Sequence, residues 1–165
     1  MAEIPKTNAS RILDQQRIPH ELLSYPVDPD DLGAEAVAAK VGLPPEQVFK
    51  TLVLRASDGA VLLACIPAGT ELDLKALARA ADKKGAAMVP MKEVLPLTGY
   101  IRGGVSPVGT KRKYPLYIDA SAAAHPRIAV SAGRRGCQML LAPADLLRAT
   151  GGVMARITQG TENGG

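Results

Sequence analysis

Lys50 interrupts an apolar run, Val48 to Leu54, that otherwise carries only Phe49, Thr51, Leu52 and Val53. Read as a strand, Val48, Lys50, Leu52 and Leu54 share one face, and Phe49, Thr51, Val53 and Arg55 share the other. A lysine on such a face has two explanations. It snorkels at the strand's mouth with its ammonium in water. Or it points into a cavity that needs a positive charge, where it anchors a phosphate or a developing oxyanion. Thr51 beside it can add a backbone N–H or a hydroxyl.

A second stretch with chemical potential is Gly103-Gly104-Val105-Ser106-Pro107-Val108-Gly109. Adjacent glycines let a backbone approach a ligand closely and expose N–H donors. It is not a nucleotide-binding P-loop, because GK[ST] is missing and no helix pattern follows. Lys111, Arg112 and Lys113 come next, a basic cluster that suits a phosphate backbone or a solvated face. The third stretch is "VSAGRRG", 130–136, in which Ser131 ends an apolar strand before a turn holding Arg134 and Arg135. It is not GxSxG, and neither His20 nor His125 has a claim to activate Ser131.

Cys65 and Cys137 belong to no CxxC or Cys/His cluster and read as structural thiols. There is no metal box, no paired-carboxylate signature and no triad, so no metal or cofactor is expected. An enzyme made from these parts works by positioning and backbone donors on an already activated substrate.

The elements that must position these residues alternate irregularly. A helix is expected from Asn8 to Arg17, capped by Thr7 or Asn8, then a strand over 20–25. Asp31 is the expected N-cap of the next helix, which ends before Gly42. Asp58-Gly59 between two apolar runs marks a hairpin. A helix over 69–84 with Asp73 as cap and a short one over 90–99 follow. The segment 100–115 breaks the pattern. Strands are expected at 116–120, 127–133 and 137–142, a helix opened by Pro143 and closed by Gly151, and a last strand at 153–158. One hairpin among irregular helices and strands gives an α+β fold rather than a doubly wound parallel sheet.

The chain has 165 residues, enough for one domain with a real core, expected over 1–158 with a tail at 159–165. With 3% aromatic residues the core is built from Ala, Val, Leu and Ile, and the small stacking surface argues against a single-strand binder that works by aromatic platforms. A net charge of +4 permits an RNA or phosphate partner. No apolar run approaches the ~20 residues of a membrane span, and the N-terminus lacks a signal-peptide core, so a cytoplasmic location is expected.

These stretches, in this order, resemble the YbaK/EbsC family of aminoacyl-tRNA deacylases, related to the editing domain of bacterial prolyl-tRNA synthetases. The resemblance runs from Thr7 to Ile157 and rests on "SYPVDP", "VFKTLV", "LDLKALA", "TGYIRGGVSPVG", and "VSAGRRG" before "LLAPADLL". It implies a mixed sheet curled into a partly open barrel, flanked by helices, with a pocket at its mouth. It implies hydrolysis of mischarged Cys-tRNA(Pro), with Cys-tRNA(Cys) as a further candidate, aminoacyl-tRNA as partner, and a link to prolyl-tRNA synthetase. By the resemblance, Lys50 is the pocket lysine, and Gly103 and Gly104 lie against the substrate ester. Tyr25, Leu32, Thr51, Ser106, Ser131 and Gln138 bind substrate, while Lys111, Arg112, Lys113, Arg134 and Arg135 follow the tRNA backbone. It further implies attack by the substrate's own thiol, with water as the alternative. Leu32 stands where some members place phenylalanine, and Gln138 where some carry aspartate. Deacylation of Ala-tRNA(Pro), or a non-catalytic module that binds tRNA or a synthetase, are the competing readings.

Overall fold

The computed structural model describes residues 4–159. Helix α1 (Asn8–Gln15) begins where the Thr7 hydroxyl accepts the Ser10 N–H, and buries Ala9 and Leu13. It stops two residues short of Arg17, which takes a left-handed conformation at φ 58° and turns the chain. Strand β1 (Glu21–Ser24) follows. Helix α2 (Ala34–Val41) starts at Gly33, not at Asp31. The Asp31 N–H instead closes a turn onto Asp28, two residues too early to cap the helix. Gly42 ends α2 at φ 76°.

Strands β2 (Phe49–Ala56) and β3 (Val61–Pro67) form the expected hairpin. Asp58 Oδ1 accepts the Ala60 N–H, and Gly59 sits at φ 92°, which a side chain would oppose. Helix α3 (Leu74–Ala80) is capped by Asp73 as expected. It is much shorter than 69–84, because Leu72 and Asp73 are drawn into backbone pairing with Thr158 and Ile157. Next comes β4 (Ala86–Met88), a strand absent from the sequence reading, followed by α4 (Met91–Thr98). The remaining elements are β5 (Leu116–Asp119), β6 (Ile128–Ser131), β7 (Cys137–Leu141), α5 (Pro143–Thr150) and β8 (Val153–Ala155). Residues 100–115 form no helix or strand. Of the expected tail, Gln159 donates its N–H to the Glu71 carbonyl, and 160–165 lie outside the described residues.

The fold is α+β. Five strands make a mixed sheet in the order β4-β2-β3-β5-β8, with β2 antiparallel to β3 and β4, and β5 parallel to β3 and β8. Three make an antiparallel sheet, β1-β7-β6. A single parallel bridge, Val48 to Ala129, joins the start of β2 to β6. The strands therefore curl toward a barrel without closing it. Both faces of β2 are covered. Phe49 and Val53 enter the main core with Leu13, Leu63, Ile118 and Met139, whereas Leu54 joins Leu62, Ile66, Leu77 and Ile157 on the other side. Lys50 thus lies on a strand with little access to water, except where the two sheets part.

Candidate active site

A cavity of about 340 Å³ opens where β2 leaves the junction of the sheets. That is large enough for a small-molecule moiety. Lys50 sits in its wall, paired across the hairpin with Ile66 and half-buried. The side chain also borders a shallower recess formed with Asp31, Glu35 and Gly69. Among the described residues its ammonium makes no salt bridge or hydrogen bond. Lys50 therefore borders both openings with its charge uncommitted to any group of the protein among the described residues.

Thr51 lines the same cavity. Its hydroxyl lies 3.3 Å from the thiol of Cys65, its partner directly across the hairpin. Burial pushes the Cys65 thiol up to about 12, against a weaker opposing effect of the Thr51 hydroxyl. Burial also raises the Cys137 thiol. Neither cysteine is a nucleophile at neutral pH.

The glycine loop divides in two. Gly103, at φ 82°, lines the cavity beside Leu32, and its N–H has no internal backbone acceptor among the described residues. Gly104 is turned away. Its N–H donates to the Ile101 carbonyl, and a Cβ there would lie 3.1 Å from the Arg134 and Arg135 backbone. Gly104 is therefore where the loop docks on the 132–136 turn, not where it meets the cavity. Ser106 is fully buried and accepts the Val108 N–H. Tyr25 pairs its N–H with the Gly136 carbonyl. Neither residue lines the cavity.

Ser131 and Gln138 do line it, as a cross-strand pair on β6 and β7. Ser131 Oγ accepts the Gly133 N–H and has no histidine partner. Among the described residues the one serine–histidine pair lies elsewhere. His20 Nε2 is 2.8 Å from Ser10 Oγ, and its Nδ1 is 3.0 Å from the Ile18 carbonyl, so Nδ1–H donates there and Nε2 accepts from the serine. Ser10 is fully buried on α1 and touches neither cavity, so this pair fastens the helix to the following segment.

Sequence reasoning missed Arg102, which borders the cavity from the loop. Its place follows from Arg135, whose Nε donates to the Arg102 carbonyl at 2.8 Å. The missed apolar wall comes chiefly from Met88, Met91 and Val94 around β4 and α4. Only the GYIRGG context hinted at Arg102, and nothing local marks the wall. Of the expected backbone cations, Lys111, Arg112, Lys113 and Arg134 are exposed, although Arg134 donates to the Pro5 carbonyl. Arg135 is half-buried and bound to the loop.

The cavity thus combines apolar walls, two cations, a free backbone N–H, and no carboxylate or activated side-chain nucleophile. Such a site receives a small apolar group joined to something anionic. Residues 28–149 match the family model for the aminoacyl-tRNA editing domain. The chain belongs to that family. Its activity is hydrolysis of an aminoacyl-tRNA ester. This editing domain is 42% identical over 153 residues, 93% of each chain, to an Enterococcus faecalis protein named "Putative Cys-tRNA(Pro)/Cys-tRNA(Cys) deacylase EbsC". Its fold is shared with a crystal structure of "hypothetical protein APE2540" at a TM-score of 0.82 and 25% identity, covering 90% of this chain and 97% of that one. A structure described as "a putative trans-editing enzyme for prolyl tRNA synthetase" superposes at a TM-score of 0.80 and 24% identity, covering 94% and 100%. Among the described residues no group of His, Cys, Asp and Glu is placed to hold a metal, and no helix is long and apolar enough to cross a membrane.

Proposed function

We propose that this editing domain hydrolyses the ester of Cys-tRNA(Pro), with Cys-tRNA(Cys) as a further substrate, and that it acts in trans with prolyl-tRNA synthetase. The supporting observation is a cavity whose charged lining is wholly cationic, in a chain 42% identical to the deacylase relative. Cysteine resembles proline in size, and a synthetase pocket discriminates weakly between small side chains, so a separate hydrolytic sieve is required.

In this reading the aminoacyl group enters between Leu32, Gly103 and the apolar wall. Lys50 and Arg102 meet the terminal phosphate or the charge developing on the ester. The free Gly103 N–H is available to the carbonyl oxygen. Attack by water forms a C–O bond, breaks the bond to the ribose oxygen, which leaves with a proton, and gives the free amino acid. Attack by the substrate's thiol forms a C–S bond, releases the ribose hydroxyl with the thiol's proton, and leaves a cyclic thioester that water then opens. The attacking atom comes from the substrate's thiol or from water, because no lining side chain is activated for attack. Orientation of a reactive ester then supplies much of the rate. The exposed basic residues 111–113 would carry the tRNA backbone.

The test is deacylation of Cys-, Ala-, Ser- and Pro-tRNA(Pro) and of Cys-tRNA(Cys), by wild type and Lys50→Ala. Selective release of cysteine, slowed about 100-fold or more by the substitution in a folded protein, is expected. Selective release of alanine would move the substrate to Ala-tRNA(Pro). Salt-sensitive tRNA binding without cleavage of any ester would replace the enzyme reading with a binding module.

A further inference from the structure

Two of the side chains that line the cavity are apolar and yet more than half exposed. Met88 is 51% exposed and Met91 56%. Apolar side chains in that state stand at a cavity's mouth, with one side on its wall and the other in water. Their backbone is fixed. Met88 closes β4 and pairs with Leu54 on β2, and the Val89 N–H donates to the Val53 carbonyl at 3.1 Å. Pro90 then opens α4, in which Met91 is the first residue. Deeper in, the wall is made of buried Val53 and Val89. Outward, the apolar surface continues along α4, where Leu95 is exposed one turn after Met91 on the same face. An exposed apolar surface that runs into a cavity marks a binding site.

What the mouth receives follows from the bond the cavity would hold. The ester joins the aminoacyl group to the terminal ribose, and the same ribose carries the terminal base. With the ester at Gly103 and the aminoacyl group inside, the base emerges at the mouth. Proteins usually hold an unpaired base on an aromatic ring. None is open here. No tyrosine lines the cavity, and Phe49, the only phenylalanine, is 2% exposed. A thioether is the substitute. It is polarisable, makes favourable contacts with aromatic rings, and its three rotatable bonds let it follow the base. Lys50 and Arg102 line the same cavity and remain for the phosphate and the ester. A protein partner needs far more area than two side chains at a cavity's edge supply, whereas a single ring does not.

We propose that Met88 and Met91 form the platform on which the terminal adenine of the aminoacyl-tRNA lies. The proposal rests on reading the cavity as the aminoacyl-ester site, and adds where the base is held. Every tRNA ends in the same adenosine, so the platform adds affinity and orients the ester without choosing among tRNAs. Orientation matters most in a site that has no activated nucleophile of its own.

The test uses two thiol-free probes that cannot be hydrolysed. One is 2-aminobutyrate joined by an amide to 3′-amino-3′-deoxyadenosine, and the other is the same amide on the sugar without its base. Neither carries a phosphate, so contacts to the tRNA backbone do not contribute. Both are titrated at a single pH into the full chain with methyl-labelled methionine, followed by NMR. Wild type should bind the adenosine probe about tenfold more tightly than the abasic one. The ring current of the base should move the Met88 and Met91 methyl signals upfield and leave that of Met139, fully buried in the core, in place. The double substitution Met88→Ala with Met91→Ala should remove most of the roughly tenfold advantage and leave the abasic probe unaffected. Leu95→Ala, exposed on α4 outside the cavity, should bind both probes as wild type does. Equal wild-type affinities, unmoved Met88 and Met91 signals, an equal loss for both probes in the double variant, a comparable loss in Leu95→Ala, or no binding of the adenosine probe would overturn the proposal. The wild-type comparison stands even if a variant fails to fold. Equal affinities would leave the cavity as the aminoacyl-ester site and assign the exposed methionines to a protein surface. Failure of the deacylation panel with base-dependent binding intact would count against the proposed reaction and not against the platform.

Discussion

Lys50 and Cys65 lie on adjacent strands and meet opposite fates. Lys50 reaches the seam between the sheets, where its charge borders a cavity, whereas Cys65 is sealed in the core behind Thr51. With its thiol pushed up to about 12, Cys65 stays protonated in the native state while the unfolded chain ionises near 9.0. Its contribution to stability is complete below the unfolded value and declines as pH rises from about 9 toward 12. Native protein at pH 8 should therefore resist alkylation, with both cysteines labelled only at the rate at which the fold opens. Rapid labelling of either thiol in native protein would show that the hairpin or β7 opens locally.

At the scale of elements, the site depends on the contact between the 100–109 loop and the turn after β6. Tyr100 organises it. Its hydroxyl donates to the Val108 carbonyl at 2.6 Å and lies 3.1 Å from that of Gly109, while its ring rests where a Cβ on Gly133 would fall. Gly104 completes the contact by lying flat on the Arg134–Arg135 backbone. Tyr100→Phe should cost about 1–2 kcal/mol through the buried carbonyls it leaves unpaired. Gly104→Ala should cost about 1–3 kcal/mol by forcing the loop off the turn. Because the same loop carries Arg102 and Gly103, Gly104→Ala should also lower kcat/KM more than its stability cost explains. Chemical denaturation beside single-turnover deacylation at a temperature where both variants are folded separates the two effects. Unchanged deacylation by folded Gly104→Ala would show that the loop contact does not position the site.

For the whole molecule, Asp119 is the fastening point of the C-terminal segment. It is 3% exposed at the end of β5, and its Oδ1 accepts the Ile157 and Thr158 N–H groups at 3.0 and 3.1 Å. Its Oδ2 accepts the Ser121 N–H at 3.2 Å. These bonds hold Ile157 in the second core cluster and bring Thr158 beside Leu72, so the segment before α3 depends on them too. Asp119→Ala should cost about 3 kcal/mol, since the lost bonds are charge-assisted and leave buried donors unpaired. A urea midpoint within error of wild type would remove this role from the carboxylate.

Much was legible where bonding is short-ranged. Asp58-Gly59 marks its hairpin, Asp73 caps α3, and Gly42 and Gly151 end their helices, because each decision is taken within a few residues of backbone. The ordered motifs identified the family, and Lys50, Leu32, Thr51, Gly103, Ser131 and Gln138 do meet in one cavity. What stayed hidden depends on partners distant in the chain. Ala86–Met88 carries no strand pattern and becomes β4 only by pairing with the edge of β2. The parting of Gly103 from Gly104, and the burial of Ser106 away from the cavity, are set by how the loop packs on the 132–136 turn. Sequence alone determined which chemical groups this protein possesses and the local elements that carry them. Tertiary packing decided which of those groups lose their water together, and so which charge and N–H are left open to a ligand.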